Sequence, residues 1–140
     1  MKRKIKIGMV QVNNSFSGQN YLPLSLGFLV SYAELHCKNY NDFEFLNPIY
    51  KRVPVKEAVE QYEDCDIVAF SVYVWNNNIS MRIAKALKEV NPNILTLAGG
   101  CHIPERPEYI EKYMSDHPYI DIASIGEGER VFTDFLENYP

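Results

Sequence analysis

Two hydrophobic periods alternate along the chain, and that alternation limits its fold more than any other feature. Five short apolar runs, at residues 5–12, 43–46, 67–75, 94–98 and 120–125, are rich in β-branched or other apolar side chains. Between them the apolar positions recur at helical spacing: Val55, Ala58, Val59 and Tyr62; Ile79, Ile83, Leu87 and Val90; Tyr109, Ile110, Tyr113 and Met114; Val131, Phe132, Phe135 and Leu136. Near-continuous apolar runs are strands covered on both faces, and the intervening stripes are amphipathic helices. Strands alternating with helices make βαβ units around a parallel sheet. Pro48, Pro54, Pro92, Pro104, Pro107 and Pro118 all fall at the expected element boundaries.

The first helix, expected over residues 22–35, is different. It is apolar nearly all round (Leu24, Leu26, Phe28, Leu29, Val30, Tyr32), which requires deep burial or a partner surface, and a partner surface is the expectation.

At 140 residues the chain can bury one core but not two well-formed ones, so residues 1–140 are expected to be a single domain. No apolar run approaches the roughly 20 residues that span a bilayer, so no membrane partner is expected. The basic start Met1-Lys2-Arg3-Lys4 leads into a run interrupted by Lys6 and Gln11, with no small-residue cleavage site, which argues against export. The net charge is −4 and the Lys and Arg residues are scattered, so no basic stripe exists for nucleic acid. Cys37, Cys65 and Cys101 are an odd number at wide spacing, which suits neither a disulfide framework nor a zinc site and fits a reducing cytoplasm.

Right-handed crossovers leave few orders for five such units, and the usual result is the doubly wound α/β, flavodoxin-like sheet of order 2-1-3-4-5 with helices on both faces. Ligands of such sheets lie outside the carboxyl ends of the strands. The loops after Val12, Trp75, Ala98 and Ile125 are therefore the candidate site.

Each loop admits a binding role and a structural one. Residues 13–21, with Asn13 and Asn14, offer amides and hydroxyls; at nine residues the segment exceeds the roughly 2–6 usual for such connections, which favours binding. The third strand ends with Ser71, Tyr73 and Trp75 and passes into Asn76: the aromatics could stack on a flat ring or belong to the core, and Asn78 could simply cap the next helix. Gly99 and Gly100 allow a sharp turn or the close approach of a ligand. His102, beside Cys101, is better read as lining a pocket than as a metal ligand. Gly126, Glu127, Gly128 and Glu129 place carboxylates where a helix N-terminus favours them, and glycines where another group could approach.

These loops assemble no nucleophile with a base, no carboxylate dyad and no metal-ligand spacing, so neither catalytic nor metal-ligating residues are expected. His36 and His117 fall in helical or helix-end positions and read as structural.

The segments Pro23-Leu24-Ser25-Leu26-Gly27-Phe28-Leu29, Asp66-Ile67-Val68-Ala69-Phe70-Ser71-Val72, Ala98-Gly99-Gly100-Cys101-His102 and Gly126-Glu127-Gly128-Glu129, taken in order, resemble the N-terminal cobalamin-binding domain of cobalamin-dependent radical SAM enzymes. The resemblance covers nearly the whole chain. It implies that Ser71, Gly99, Gly100 and residues 126–129 line a pocket for the cofactor's nucleotide tail, and that residues 13–21 and 75–78 face the corrin.

Two departures refine that implication. The Asp-x-His-x-x-Gly motif of cobalamin mutases and methionine synthase is missing after the first strand, so cobalt is expected without a histidine ligand, which suits methyl transfer. The Cys-x-x-x-Cys-x-x-Cys motif of radical SAM chemistry is also missing. The iron-sulfur cluster and S-adenosylmethionine would then belong to a catalytic domain in cis or trans, with this chain an excised domain or a standalone carrier.

Three alternatives stand beside this reading. A flavodoxin-like electron carrier would sandwich FMN between Tyr73 and Trp75, but its phosphate loop is missing. A receiver domain would need acidic residues where Asn13 and Asn14 stand. A degenerate cobalamin domain would serve only as a protein-interaction surface.

Overall fold

A computed structural model describes all 140 residues. The main sheet contains β1 (Ile5–Val10), β4 (Phe43–Phe45), β5 (Ile67–Ser71), β6 (Leu95–Gly99) and β7 (Ile122–Ala123). Its order is β4-β1-β5-β6-β7 with every pairing parallel, which is the expected 2-1-3-4-5 arrangement.

The helices are α1 (Leu24–His36), α2 (Val55–Tyr62), α3 (Asn77–Val90), α4 (Pro107–Asp116) and α5 (Gly128–Glu137). Side chains alternate between the faces of a strand, and β5 shows the consequence: Ile67 and Ala69 join the core under α1 and α5, while Val68 and Phe70 join the core under α2, α3 and α4. Both faces of β5 are thus covered, which is why its sequence is apolar without interruption. No helix is long and apolar enough to cross a membrane.

Three boundaries differ from expectation. The third sheet strand stops at Ser71 rather than Trp75, because Asn76 turns the chain back through Tyr73. The last strand contracts to Ile122–Ala123. Part of the 13–21 connection pairs with itself, as β2 (Ser15–Phe16) against β3 (Gln19–Asn20), through a turn in which Ser17 and Gly18 both have positive φ (49° and 76°).

Two side chains, Tyr62 and Asp121, tie the sheet together through hydrogen bonds. Tyr62 is fully buried, and its hydroxyl donates to the carbonyls of Met9 (2.9 Å) and Asn47 (2.6 Å). Burial pushes this phenol up to about 12, so it stays protonated. A Cβ at Gly8 would come within 2.7 Å of the Tyr62 ring, so this strand position must be glycine. On the far edge, Asp121 Oδ2 accepts from Lys88 Nζ (2.5 Å) and the Thr96 amide (2.9 Å).

Burial alone would push the Asp121 carboxyl up; the Lys88 and Thr96 hydrogen bonds and the Lys88 charge outweigh it, and the group sits below its ordinary value. A depressed carboxylate adds stability above about pH 4 that is lost as pH falls through its folded value. Asp121→Asn is therefore expected to lower stability by about 1 kcal/mol at pH 7, given its partial exposure. Urea unfolding of both proteins should show the gap narrowing as pH falls from 7 to 3; a gap of the same size at both pH values would contradict the assignment.

Candidate functional site

Three neighbouring strands end in, or lead directly into, small residues on the face beneath α1 and α5. Ser71 continues the Ile67 and Ala69 row, Gly99 the Leu97 row, and Ser124 the Ile122 row. Ser71 and Gly99 are register partners, and the Ser124 amide donates to the Ala98 carbonyl (2.8 Å), setting Ser124 beside Gly99. A Cβ at Gly99 would meet only the Ser124 Cβ, at 3.7 Å. With no bulk at the row ends, sheet and helices separate into a cleft of about 550 Å³. That falls within the roughly 300–1,000 Å³ usual for small-molecule pockets.

The walls come from both helices: Leu26, Phe28 and Leu29 of α1 face Val131, Phe132 and Phe135 of α5. Gly128, at the start of α5, lets Leu29 approach; a Cβ there would lie 3.2 Å from Leu29 Cδ2. Glu105 and Glu127 stand exposed at the rim, Glu129 lines the cleft half-buried, and no Lys, Arg or His lines it. The Ser25 and Tyr73 hydroxyls bond across the mouth at 2.5 Å, tying α1 to the loop after β5. The Ser124 hydroxyl is buried without a partner.

Of the residues singled out in the sequence, Ser71, Tyr73, Gly99, Gly100, Gly126, Glu127, Gly128 and Glu129 line this cleft. Asn13, Asn14, Trp75, Asn76 and His102 do not. Asn13 Nδ2 donates to the carbonyls of Tyr21 and Leu22 (both 3.2 Å), holding the hairpin onto the sheet, while Asn14 is exposed. His102 packs edge-on against Tyr113 of α4, and its amide donates to the Val72 carbonyl, so it does not line a pocket wall on the cleft side.

Asn76 requires a correction. It is 0% exposed: Nδ2 donates to the carbonyls of Val12 and Ser71 (both 3.1 Å), and Oδ1 accepts the Tyr73 amide (2.8 Å). It shapes the loop and has no atom free for a ligand. Asn78 is not the cap of α3, since that helix starts at Asn77 and Asn76 precedes it.

Two further readings change. Tyr73 and Trp75 stack on each other, with centroids 4.7 Å apart and planes 2° apart, so they leave no slot for a ring between them. Gly100 is glycine because of the backbone rather than a ligand: at φ +111° its Cβ would lie 2.6 Å from the Val72 carbonyl oxygen.

Ser25, Ser124 and the apolar walls also belong to the cleft, although their role in it did not stand out in the sequence. Face parity within each strand could have found Ser124, two positions beyond Ile122. Helix α1 is both buried and exposed: Leu26 and Ala33 point into the core, while Leu24, Phe28 and Leu35 remain open to solvent.

Among solved structures, a putative pilus assembly-related protein from Burkholderia pseudomallei superimposes with a TM-score of 0.59 at 12% identity, over 95% of this chain and 87% of that one. The pilus assembly protein CpaE from Caulobacter crescentus gives 0.55 at 11%, over 97% and 100%. These likenesses concern the fold alone. Among curated proteins, the chain is 40% identical over 117 residues to the cobalamin-dependent radical SAM methyltransferase TokK of Streptomyces tokunonensis. It is 37% identical over 116 residues to the 2-(S-pantetheinyl)-carbapenam-3-carboxylate methyltransferase of Streptantibioticus cattleyicolor. In each case the match covers 83% of this chain and only 17% of the relative's length. The family profile described as the B12 binding domain matches residues 22–136, so the chain belongs to that family.

Proposed function

We propose that residues 1–140 form one cobalamin-binding domain that does not catalyse alone. The cleft takes the cofactor's nucleotide tail, and the loops at the strand ends, including Asn14 and Trp75, face the corrin. This chain supplies no histidine to the cobalt. A radical SAM domain, in cis or trans, holds the iron-sulfur cluster and S-adenosylmethionine and receives the corrin for methyl transfer in the cytoplasm. Bound cobalamin would supply a cobalt centre able to carry a methyl group.

One observation carries the reading: the apolar cleft opens where Ser71, Gly99 and Ser124 leave the floor without bulk. A flat heterocycle can lie on such a floor, and the buried, unpartnered Ser124 hydroxyl is a polar group left over at the same place. The exposed Leu22, Leu24 and Phe28 beside the mouth support docking of a second domain there.

Incubation of the purified chain with hydroxocobalamin or with FMN, followed by desalting, tests the proposal. Retained corrin absorbance and no retained flavin are expected. Flavin retention without corrin would overturn the reading, and retention of neither would leave the degenerate docking domain in its place.

A further inference from the structure

We infer that the Ser25–Tyr73 hydrogen bond is a latch over the cleft, and that the first turn of α1 is the bar that lifts to admit or release the ligand. The inference rests on the tail-in-cleft reading above and adds to it a control of entry and exit.

The post of the latch is fixed. The Tyr73 amide donates to Asn76 Oδ1 (2.8 Å), the Tyr73 carbonyl accepts from the amides of Asn76 (3.1 Å) and Asn77 (3.0 Å), and the ring stacks on Trp75 with planes 2° apart. Tyr73 stands two residues beyond Ser71 of the floor, and its hydroxyl meets Ser25 at 2.5 Å across the mouth. A group seated over Ser71 passes beneath this bond on its way in or out.

The bar is held more lightly. Helix α1 starts at Leu24 with Pro23 before it and no side-chain cap, and Gln11 Oε1 reaches the Leu26 amide only at 3.4 Å. Leu26 is the one buried side chain of this turn; Leu24 stands in solvent. Gly27 comes next, where a Cβ would meet nothing within 4 Å. Packing therefore does not call for glycine there, and glycine weakens a helix interior. It softens α1 between the latch and Ala33, the next residue anchored in the core.

A latch that closes over the empty and the filled cleft alike slows entry and exit by one factor, whereas a contact with the bound ligand slows exit alone. Stopped-flow mixing of the chain with hydroxocobalamin, read by quenching of its single tryptophan, Trp75, separates the two. Tyr73→Phe keeps the stacked ring and removes the bond, and should raise the association and dissociation rate constants together by about fivefold, the factor one such hydrogen bond supplies. Ser25→Ala and the double variant should show the same factor and no more, because all three remove one bond. Gly27 lines no part of the cleft, and Gly27→Ala should lower both rate constants about threefold by stiffening the turn. If the hydroxyl variants speed dissociation alone, the two groups hold the ligand and there is no latch. Unchanged rates in Gly27→Ala overturn the bar, and unchanged rates in every variant overturn the latch while the cobalamin reading stands. If the wild-type chain binds no hydroxocobalamin, the parent reading fails and the latch falls with it.

Discussion

Gly99→Phe should abolish cobalamin retention while leaving the melting temperature of the ligand-free chain nearly unchanged. The position lies at the end of the row that Leu97 occupies on the α1 and α5 side, where a new Cβ meets only the Ser124 Cβ at ordinary contact distance. A benzyl group there projects into the open cleft and competes directly with the proposed tail. An affinity loss beyond ~tenfold, or about 1.4 kcal/mol, is expected from occupying the floor. Gly100→Ala is the informative contrast. It should destabilise the domain by about 2 kcal/mol, because it combines a backbone region nearly closed to side chains with a clash against Val72. Thermal melts and corrin retention measured on both variants separate the two glycines. Undiminished retention in Gly99→Phe would mean that the tail pocket lies elsewhere.

The adjacent glycines also show how far the sequence could be read. Gly99 and Gly100 were both visible as special, but the demand on one comes from open space and on the other from the Val72 backbone. Only the fold distinguishes them, since Val72 is brought there by the pairing of β5 with β6. Strand existence and order were legible because burial on both faces leaves an uninterrupted apolar signature. Strand ends were not: Val72, Val74 and Trp75 continue the apolar run, yet the fold turns at Asn76. The hairpin within residues 13–21 did leave a signal, since Ser17-Gly18 supplies a two-residue turn with positive φ at both positions. The apolar walls were hidden for another reason. In α1 the same composition serves the core at Leu26, the cleft at Leu29 and open solvent at Leu35, and periodicity cannot divide an all-apolar helix among three surroundings.

Asn76→Asp should destabilise the domain more than any conservative change in the cleft lining, by roughly 3 kcal/mol or more. The substitution keeps the acceptor for the Tyr73 amide but removes the two N–H groups that reach the Val12 and Ser71 carbonyls. It also sets a carboxylate against those two carbonyl oxygens at a site closed to water. Burial and the carbonyl dipoles would favour the protonated acid, raising its folded pKa above the unfolded value. The variant should accordingly recover part of its stability as pH falls from 7 towards 4, where the neutral acid can donate to one carbonyl. Asn76→Ala leaves three orphaned backbone groups but no charge, so its deficit should not vary in that way. Urea unfolding of both variants at pH 7 and pH 5 checks the difference. Because Asn76 connects the end of β1 to the end of β5, either substitution loosens the loop carrying Tyr73 and Trp75. Any loss of corrin binding in these variants would therefore follow from misplacement of those rings, and not from a lost contact between Asn76 and the ligand.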